Sequence, residues 1–286
     1  MISALAQMWR RRWWWPDRAA IAAFADLRPV VVITGGSEGI GYALARRFAC
    51  AAKDLLLVAR TEAKLNEAAE ALRREHGVKV DILALDVTAV DAVQRLDEAL
   101  AERAAYADVL VNCAGIGISG PFTGYDEARL LQLIDLNVRA VSRLTLHFLG
   151  PMCVRGRGGV LNMASVGSYA PGPNQAAYYA SKAYVLSLTE AIAHETAGKG
   201  VRVCALAPGP VRTRFHERMG ANYAFYRTFM SLSSPGFVAW MGYVGFMAGA
   251  RVVVPGALNL IGTLCMRVIP HRLLLPIISL LLKPRL

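Results

Sequence analysis

Cysteine is scarce in this chain of 286 residues, and the five that occur form no C-x-x-C spacing. They stand at positions 50, 113, 153, 204 and 265. An odd number without metal-ligand spacing argues against a disulfide framework and against a structural zinc site. We therefore predict no metal site, and a protein of a reducing compartment.

The sequence also lacks internal repeats, low-complexity blocks and a polar linker, so one large α/β domain is the better prediction for this length. Its net charge of +11 is not accompanied by a helix-turn-helix, zinc-finger or RNP-like pattern, which argues against nucleic acid as a partner. An export signal is not predicted, because the apolar stretch "ISALA" is too short and charged residues follow it.

Acidic residues are absent after Glu217, whereas seven Lys and Arg residues lie between Arg218 and Leu286. The opposite end carries "MWRRRWWWPD" (Met8–Asp17), with three arginines and four of the five tryptophans. Arg and Trp together favour the membrane–water interface. With the apolar tail "LLLPIISLLLKPRL", these ends predict a cytoplasmic protein that is attached peripherally to the inner face of the membrane.

The run from Thr228 to Ala250 carries no charge over 23 residues, enough for a membrane-spanning helix. It also contains Pro235, four glycines and several serines, so a docked or interfacial helix is the better prediction. Its uncharged outer face is expected to be covered by lipid or by another subunit.

Short β-branched runs alternate with helical segments along most of the chain. The runs are "PVVVIT", "DLLLVA", "VKVDILAL", "DVLVNCA", "GGVLNMAS" and "VRVCALAP". This alternation predicts a Rossmann-type, doubly wound parallel β-sheet with helices on both faces. We assign this single domain to residues 29–254, with a substrate lid at about 210–250, between a basic Trp-rich extension (1–28) and an apolar basic tail (255–286).

A glycine-rich turn, "TGGSEGIG" (Thr34–Gly41), follows the first strand and opens the first helix. Glycines in such a turn let a pyrophosphate approach the backbone and the helix N-terminus. The alternative is a glycine turn without a ligand, but the strand–turn–helix context favours a dinucleotide site. The predicted contacts in this turn are Gly35, Ser37, Gly39, Ile40 and Gly41.

The second strand is followed by Arg60, where many NAD-binding sites hold an acidic residue. A guanidinium at this position can bind a 2′-phosphate in bidentate fashion, so NADP(H) is predicted and NAD is less favoured. The alternative is a solvated arginine at a helix start. The ends of the third and fourth strands supply the further predicted cofactor contacts Asp86, Val87, Asn112, Ala114 and Gly115.

The segment "NQAAYYASKAYVL" places Tyr178 and Tyr179 four and three residues ahead of Lys182. Reduction of a carbonyl by hydride transfer leaves an alkoxide to be protonated, and a phenol with a pKa of about 10 is a poor acid–base catalyst at neutral pH. A lysine ammonium one helical turn away favours the phenolate and lowers that pKa. The spacing slightly favours Tyr178 as the partner of Lys182 but leaves both tyrosines open.

These motifs, with Asn137 in "DLNV", Ser165 in "NMAS" and the segment "PGPVRT", resemble the short-chain dehydrogenase/reductase family in their order and spacing. The resemblance extends from about Pro29 to Thr213. The later segment "RVVVPGALN" is similar to the bacterial branch of broad-range NADP-linked reductases.

The resemblance implies that Tyr178 is the acid, that Ser165 holds the carbonyl oxygen and that Lys182 binds the nicotinamide ribose. It further implies that Asn137 holds a water for proton supply, that Tyr179 serves packing, and that the chain forms a homodimer or homotetramer. "PGPVRT" would close over the carboxamide, through the cofactor contacts Pro208, Gly209, Val211 and Thr213.

Two residues depart from the family pattern. Cys113 replaces a frequent second asparagine, and Glu38 stands where some NADP-dependent members carry a basic residue, which weakens the NADP prediction. The aromatic, Met-rich segment Phe215–Met230 suits a bulky apolar substrate, with simple lid packing as the alternative. The predicted function is an NADP(H)-dependent oxidoreductase that interconverts a carbonyl and an alcohol on a bulky apolar or lipid-like substrate. The alternative is a non-catalytic NADP-binding sensor or scaffold protein at a membrane surface.

Overall fold

A computed structural model of the chain describes residues 17–221 and 232–283. The Arg/Trp cluster up to residue 16 and the lid residues 222–231 lie outside the described residues. The described chain forms one parallel sheet of seven strands in the order β3-β2-β1-β4-β5-β6-β7. The strands are β1 (Arg28–Thr34), β2 (Asp54–Ala59), β3 (Val80–Ala84), β4 (Ala105–Asn112), β5 (Gly158–Met163), β6 (Val201–Leu206) and β7 (Val252–Val253).

Helices cover both faces of this sheet, as β1 illustrates. Val31 and Ile33 pack in one core cluster with Phe48, whereas Val30 and Val32 pack in another with Phe148. Because successive strand residues point to opposite faces, both faces are apolar and buried, and the predicted doubly wound fold is confirmed. The helices are α1 (Arg18–Ala22), α2 (Gly39–Cys50), α3 (Glu62–His76), α4 (Ala92–Ala101), α5 (Glu127–Ile134), α6 (Val141–Arg155), α7 (Ala176–Glu195), α8 (Phe215–Arg218), α9 (Pro235–Met247), α10 (Ala257–Val268) and α11 (His271–Leu282).

The helical part of the chain between β4 and β5 contains a change of helical type. Asp126 caps α5 by accepting a hydrogen bond from the Arg129 backbone N–H at 2.9 Å. A π-helical turn, Asp135–Ala140, then joins α5 to α6. Such wide turns occur frequently at functional sites, and this one contains Asn137.

Helix α9, which contains most of the uncharged run, docks on the sheet. Ser234 caps its start, and its buried side includes Val238 and Phe246. A Cβ atom added to Gly242 would lie 2.5 Å from a methyl group of Leu206, so the helix approaches β6 closely. Within residues 17–221 and 232–283, no helix combines the length and the apolarity that crossing a membrane requires.

Candidate active site

The carboxyl end of β1 leads into a tight glycine turn that fits a pyrophosphate. Gly35 and Gly39 have φ values of +67° and +59°, in the left-handed region that favours glycine. A Cβ atom added to Gly41 would lie 2.1 Å from the Gly35 carbonyl oxygen, so any larger residue would force the turn open. The turn and the N-terminus of α2 line a cleft of about 1410 Å³.

Ser165 and Tyr178 meet in this cleft. Ser165 follows β5 and begins the 3-10 turn Val166–Tyr169, where its Oγ accepts a hydrogen bond from the Gly167 N–H at 3.1 Å. Burial raises the pKa of Tyr178 to about 12, and its hydrogen bond with Ser165 acts in the opposite direction. The tyrosine is therefore a neutral phenol at neutral pH, the form that can donate a proton.

Lys182 lies on the same helix as Tyr178, and its ammonium contacts the backbone at the end of β5. Its Nζ donates a hydrogen bond to the Met163 carbonyl at 2.8 Å and is 5.9 Å from the centre of the Tyr178 ring. Burial lowers the pKa of Lys182 to about 8, against an opposing charge interaction with Cys113. The expected lowering of the Tyr178 pKa by Lys182 is not found, because burial of the phenol dominates.

Asn137 lies behind the cleft wall and beside Lys182. Its amide accepts a hydrogen bond from the Ile116 N–H at 3.0 Å and donates one to the Ile116 carbonyl at 2.8 Å and another to Ser181 Oγ at 3.1 Å. A Cβ atom added to Gly115 would lie 3.2 Å from Asn137 Oδ1 and 3.6 Å from Lys182 Nζ. The π-helical turn thus brings Asn137 near the lysine, while the predicted water stays a prediction.

Asn112, a predicted cofactor contact, faces the core instead of the cleft. Its Nδ2 donates hydrogen bonds to Asn162 Oδ1 at 2.8 Å and to Thr145 Oγ1 at 3.1 Å. Strand alternation explains this orientation, since the last residue of β4 points its side chain toward α6, and the cofactor contact of Asn112 stays a prediction. Thr34 instead positions the "NCAG" backbone, because its Oγ1 accepts hydrogen bonds from the N–H groups of Cys113 (3.1 Å) and Ala114 (3.2 Å).

The other predicted cofactor contacts are brought together around the cleft. Asp86 already accepts hydrogen bonds from the Thr88 N–H at 2.9 Å and from its hydroxyl at 2.7 Å, which lowers the pKa of Asp86 against the effect of burial. The predicted residues that line the cleft are Gly35, Ser37, Gly39, Ile40, Gly41, Arg60, Asp86, Val87, Ala114, Gly115, Ser165, Tyr178, Lys182, Pro208, Gly209, Val211 and Thr213.

Two features of the cleft were not predicted from the sequence. Glu38, in the glycine turn, forms a bidentate ion pair with Arg218 of α8 and lies 3.7 Å from Lys64 Nζ, and the hydrogen bond with Arg218 is the main cause that lowers the pKa of Glu38. No sequence signal connects residues so far apart. Ile278 and Leu282 of α11 also line the cleft. Their spacing of four residues on an apolar helix was the available signal.

Comparison with known proteins agrees with this geometry. A family profile described as short chain dehydrogenase matches residues 29–224. The chain belongs to the short-chain dehydrogenase/reductase family. It is thus a nicotinamide-dependent oxidoreductase that acts on CH–OH groups and interconverts an alcohol and a carbonyl.

Individual relatives of this dehydrogenase cover most of its length. Sulfoacetaldehyde reductase 2 of Chromohalobacter salexigens is 37% identical over 188 residues, 65% of this chain and 74% of the relative. A short-chain dehydrogenase from Sphingobium yanoikuyae, solved in complex with NADPH, is 32% identical with a TM-score of 0.74, covering 85% of this chain and 96% of the other. The bulky-bulky ketone specific alcohol dehydrogenase of Comamonas testosteroni is 28% identical with a TM-score of 0.70, covering 86% and 96%.

Proposed function

We propose that this dehydrogenase interconverts a bulky apolar carbonyl and its alcohol with NADP(H), and that Tyr178 is the acid/base. The observation that carries the proposal is the hydrogen-bonded pair of Tyr178 and Ser165 in the cleft, one helical turn from Lys182. A protein that only binds the nucleotide has no chemical need for this arrangement.

The roles follow from the chemistry of carbonyl reduction. The bound cofactor supplies the hydride. Tyr178, a neutral phenol at neutral pH, donates its proton to the carbonyl oxygen as negative charge develops there. Ser165 donates a hydrogen bond to the same oxygen, and this bond strengthens in the transition state. Lys182 holds the cofactor's ribose from the floor of the cleft, where its side chain is 5% exposed.

The neighbouring tyrosines provide a matched test of the acid/base. We expect Tyr178→Phe to lower kcat for ketone reduction by about 10²–10⁴-fold, the usual contribution of a positioned general acid. Tyr179→Phe removes the same hydroxyl one residue later and should keep kcat within a few-fold. Cofactor binding, measured by fluorescence, should survive in both variants. Unchanged turnover by Tyr178→Phe would refute the assignment.

A preference for NADP(H) is supported by the charges at the end of β2. Arg60 lines the cleft there, where a guanidinium can pair with a 2′-phosphate. Glu38 was expected to oppose this preference, but Arg218 and Lys64 surround its carboxylate and offset its charge. The NADPH complex of the Sphingobium yanoikuyae relative agrees with the proposal.

A bulky apolar substrate is supported by the cleft wall around Tyr178. The ring of Phe215 is 5.5 Å from the Tyr178 ring, and Met219, Met266 and Ile278 extend the apolar lining. One relative is named 7beta-hydroxysteroid dehydrogenase and another is a bulky-bulky ketone specific alcohol dehydrogenase. A screen of cyclic, aromatic and long-chain ketones against small polar ones tests this preference.

Two further proposals concern partners. A homodimer or homotetramer is supported by exposed apolar residues on α5 and α6, where Leu131 is 52% and Leu146 81% exposed. Light scattering of the purified protein measures this state. The second proposal is peripheral attachment to a membrane through the C-terminal helices.

A further inference from the structure

Helices α10 and α11 present an apolar surface to solvent. We call it the tail surface and define it by the exposed residues Leu258, Ile261, Leu264, Val268, Leu273, Ile277 and Leu280. Leu258 and Val268 are more than four-fifths exposed, at 84% and 81%. A concentration of exposed apolar side chains of this kind marks an interaction site.

Helix α11 is apolar on two sides, and only one of them is used inside the protein. Leu274, Ile278 and Leu282 recur every four residues and are buried against Ala170, with Tyr179 packed beside them. Leu273, Ile277 and Leu280 lie on the other side and are 64%, 56% and 61% exposed. Intramolecular packing explains the first stripe and leaves the second without a partner among the described residues.

The charged residues on the two helices of the tail surface are basic. Arg267, Arg272 and Lys283 are exposed, and no acidic residue occurs in the sequence after Glu217. The one acidic neighbour among the described ion pairs is Glu190 of α7, 3.9 Å from Arg267, so Arg272 and Lys283 leave a net positive charge beside the apolar residues. Basic side chains beside an apolar helix face are the pattern of a helix that lies in an anionic membrane interface. Each of these helices has 12 residues, about 18 Å at 1.5 Å per residue, which suits lying in the interface and not crossing it.

A second copy of the chain fits this surface less well. In a symmetric dimer the same patch faces itself, so the exposed arginines of one copy would approach those of the other. Like charges at an interface are unfavourable, whereas anionic headgroups complement them. The charge pattern therefore favours lipid.

The tail surface is joined directly to the active site. The guanidinium of Arg267 lies 4.9 Å from the centre of the Tyr169 ring, in the turn that Ser165 begins. The buried stripe of α11 packs against Tyr179, next to the proposed acid, and Ile278 and Leu282 line the cleft. The two helices thus have the cleft on one side and the tail surface on the other.

We propose that the tail surface binds an anionic lipid bilayer and that the apolar substrate reaches the cleft from that bilayer. The substrate part of this inference rests on the function proposed above, whereas the membrane part does not. Attachment places the apolar wall of the cleft beside lipid, where a poorly water-soluble carbonyl compound is concentrated.

Vesicle sedimentation of the full chain tests the membrane part. The wild type should bind phosphatidylglycerol vesicles and bind phosphatidylcholine vesicles weakly. Leu273→Ser/Ile277→Ser should weaken binding at least about tenfold, because two apolar side chains no longer enter the interface. The matched control Val90→Ser/Val154→Ser removes two exposed apolar residues elsewhere, 87% and 46% exposed, and should bind as the wild type does.

Turnover separates this inference from the proposed function. With a water-soluble ketone and NADPH, the tail variant should keep the wild-type kcat, whereas its rate with a ketone dissolved in the vesicles should fall with the loss of binding. Equal vesicle binding by wild type and tail variant would overturn the proposal. A second result would also overturn it: the wild type binds no vesicles, and light scattering shows that the tail variant has lost an oligomer that the wild type forms. A second copy of the chain would then cover the tail surface. A chain that binds vesicles but reduces no ketone would overturn the proposed function and the substrate part of this inference, and would leave the membrane part standing.

Discussion

Replacing Gly41 by alanine tests whether the glycine turn is the cofactor cradle. The added Cβ would lie 2.1 Å from the Gly35 carbonyl oxygen and 2.8 Å from the Gly35 carbonyl carbon, roughly 1 Å inside ordinary contact. Both obstacles are backbone atoms. Gly35 also has little room to move, because a Cβ there would lie 3.0 Å from the backbone of Ala114. The turn must therefore open along the path of the pyrophosphate.

The expected cost of this overlap is about 1–3 kcal/mol, the usual range for overpacking. If half or more of this energy opposes cofactor binding, the Kd for NADPH should rise about tenfold, since about 1.4 kcal/mol corresponds to a tenfold change in Kd. Fluorescence titration measures the Kd, and chemical denaturation measures the free energy of unfolding.

A second helical glycine provides the control. Gly150 lies in α6 with nothing within 4 Å of an added Cβ, so Gly150→Ala should leave the Kd unchanged and stabilise the fold by up to about 1 kcal/mol. Unchanged NADPH affinity in Gly41→Ala would refute the reasoning about the cradle.

Two electrostatic predictions complete the set. Lys182 has a pKa of about 8 in the fold against an ordinary 10.5, so the unfolded chain binds more protons between these values and stability rises with pH across that window. Between pH 8 and pH 10, the free energy of unfolding of the wild type should rise by up to about 3 kcal/mol relative to that of Lys182→Met. Denaturation at several pH values measures this difference. The same pH dependence in both proteins would contradict the burial of Lys182. Glu38→Gln removes a carboxylate near the proposed 2′-phosphate site and should tighten NADPH binding about 2–5-fold at low salt while NADH binding stays constant. Weaker NADPH binding in titrations of this variant would show that the ion pair with Arg218 matters more for closing the cleft than for charge.

The sequence allowed the sheet and the joint position of Tyr178 and Lys182 in the cleft to be predicted, because their signals are local. Val30 to Ile33 form a β-branched run, and Tyr178 and Lys182 are one helical turn apart, so both features are visible in residues that are close in the sequence. Burial is a property of the whole fold, which is why the direction of the Tyr178 pKa was predicted wrongly. The direction of the Asn112 side chain was not predictable for a similar reason, because the face on which a strand residue lies depends on the strand's pairing.

Contacts between segments that are distant in the sequence could not be predicted, because they too depend on the whole fold. Glu38 and Arg218 are ordinary surface charges in the sequence, and only the fold places them together above the cleft. The tail shows an intermediate case. Its apolar and basic character was readable, whereas its packing against Tyr179 required the structure.

The proposed NADP(H) site, in which Arg60 selects the cofactor, is tested most directly by a fluorescence titration with NADPH and, separately, with NADH. The wild type should bind NADPH at least about tenfold more tightly than NADH, because a bidentate Arg–phosphate pair contributes on the order of 1.5–3 kcal/mol. Arg60→Gln should lose most of that difference by weakening NADPH binding alone. Tighter binding of NADH by the wild type, or equal preference in both proteins, would contradict the account.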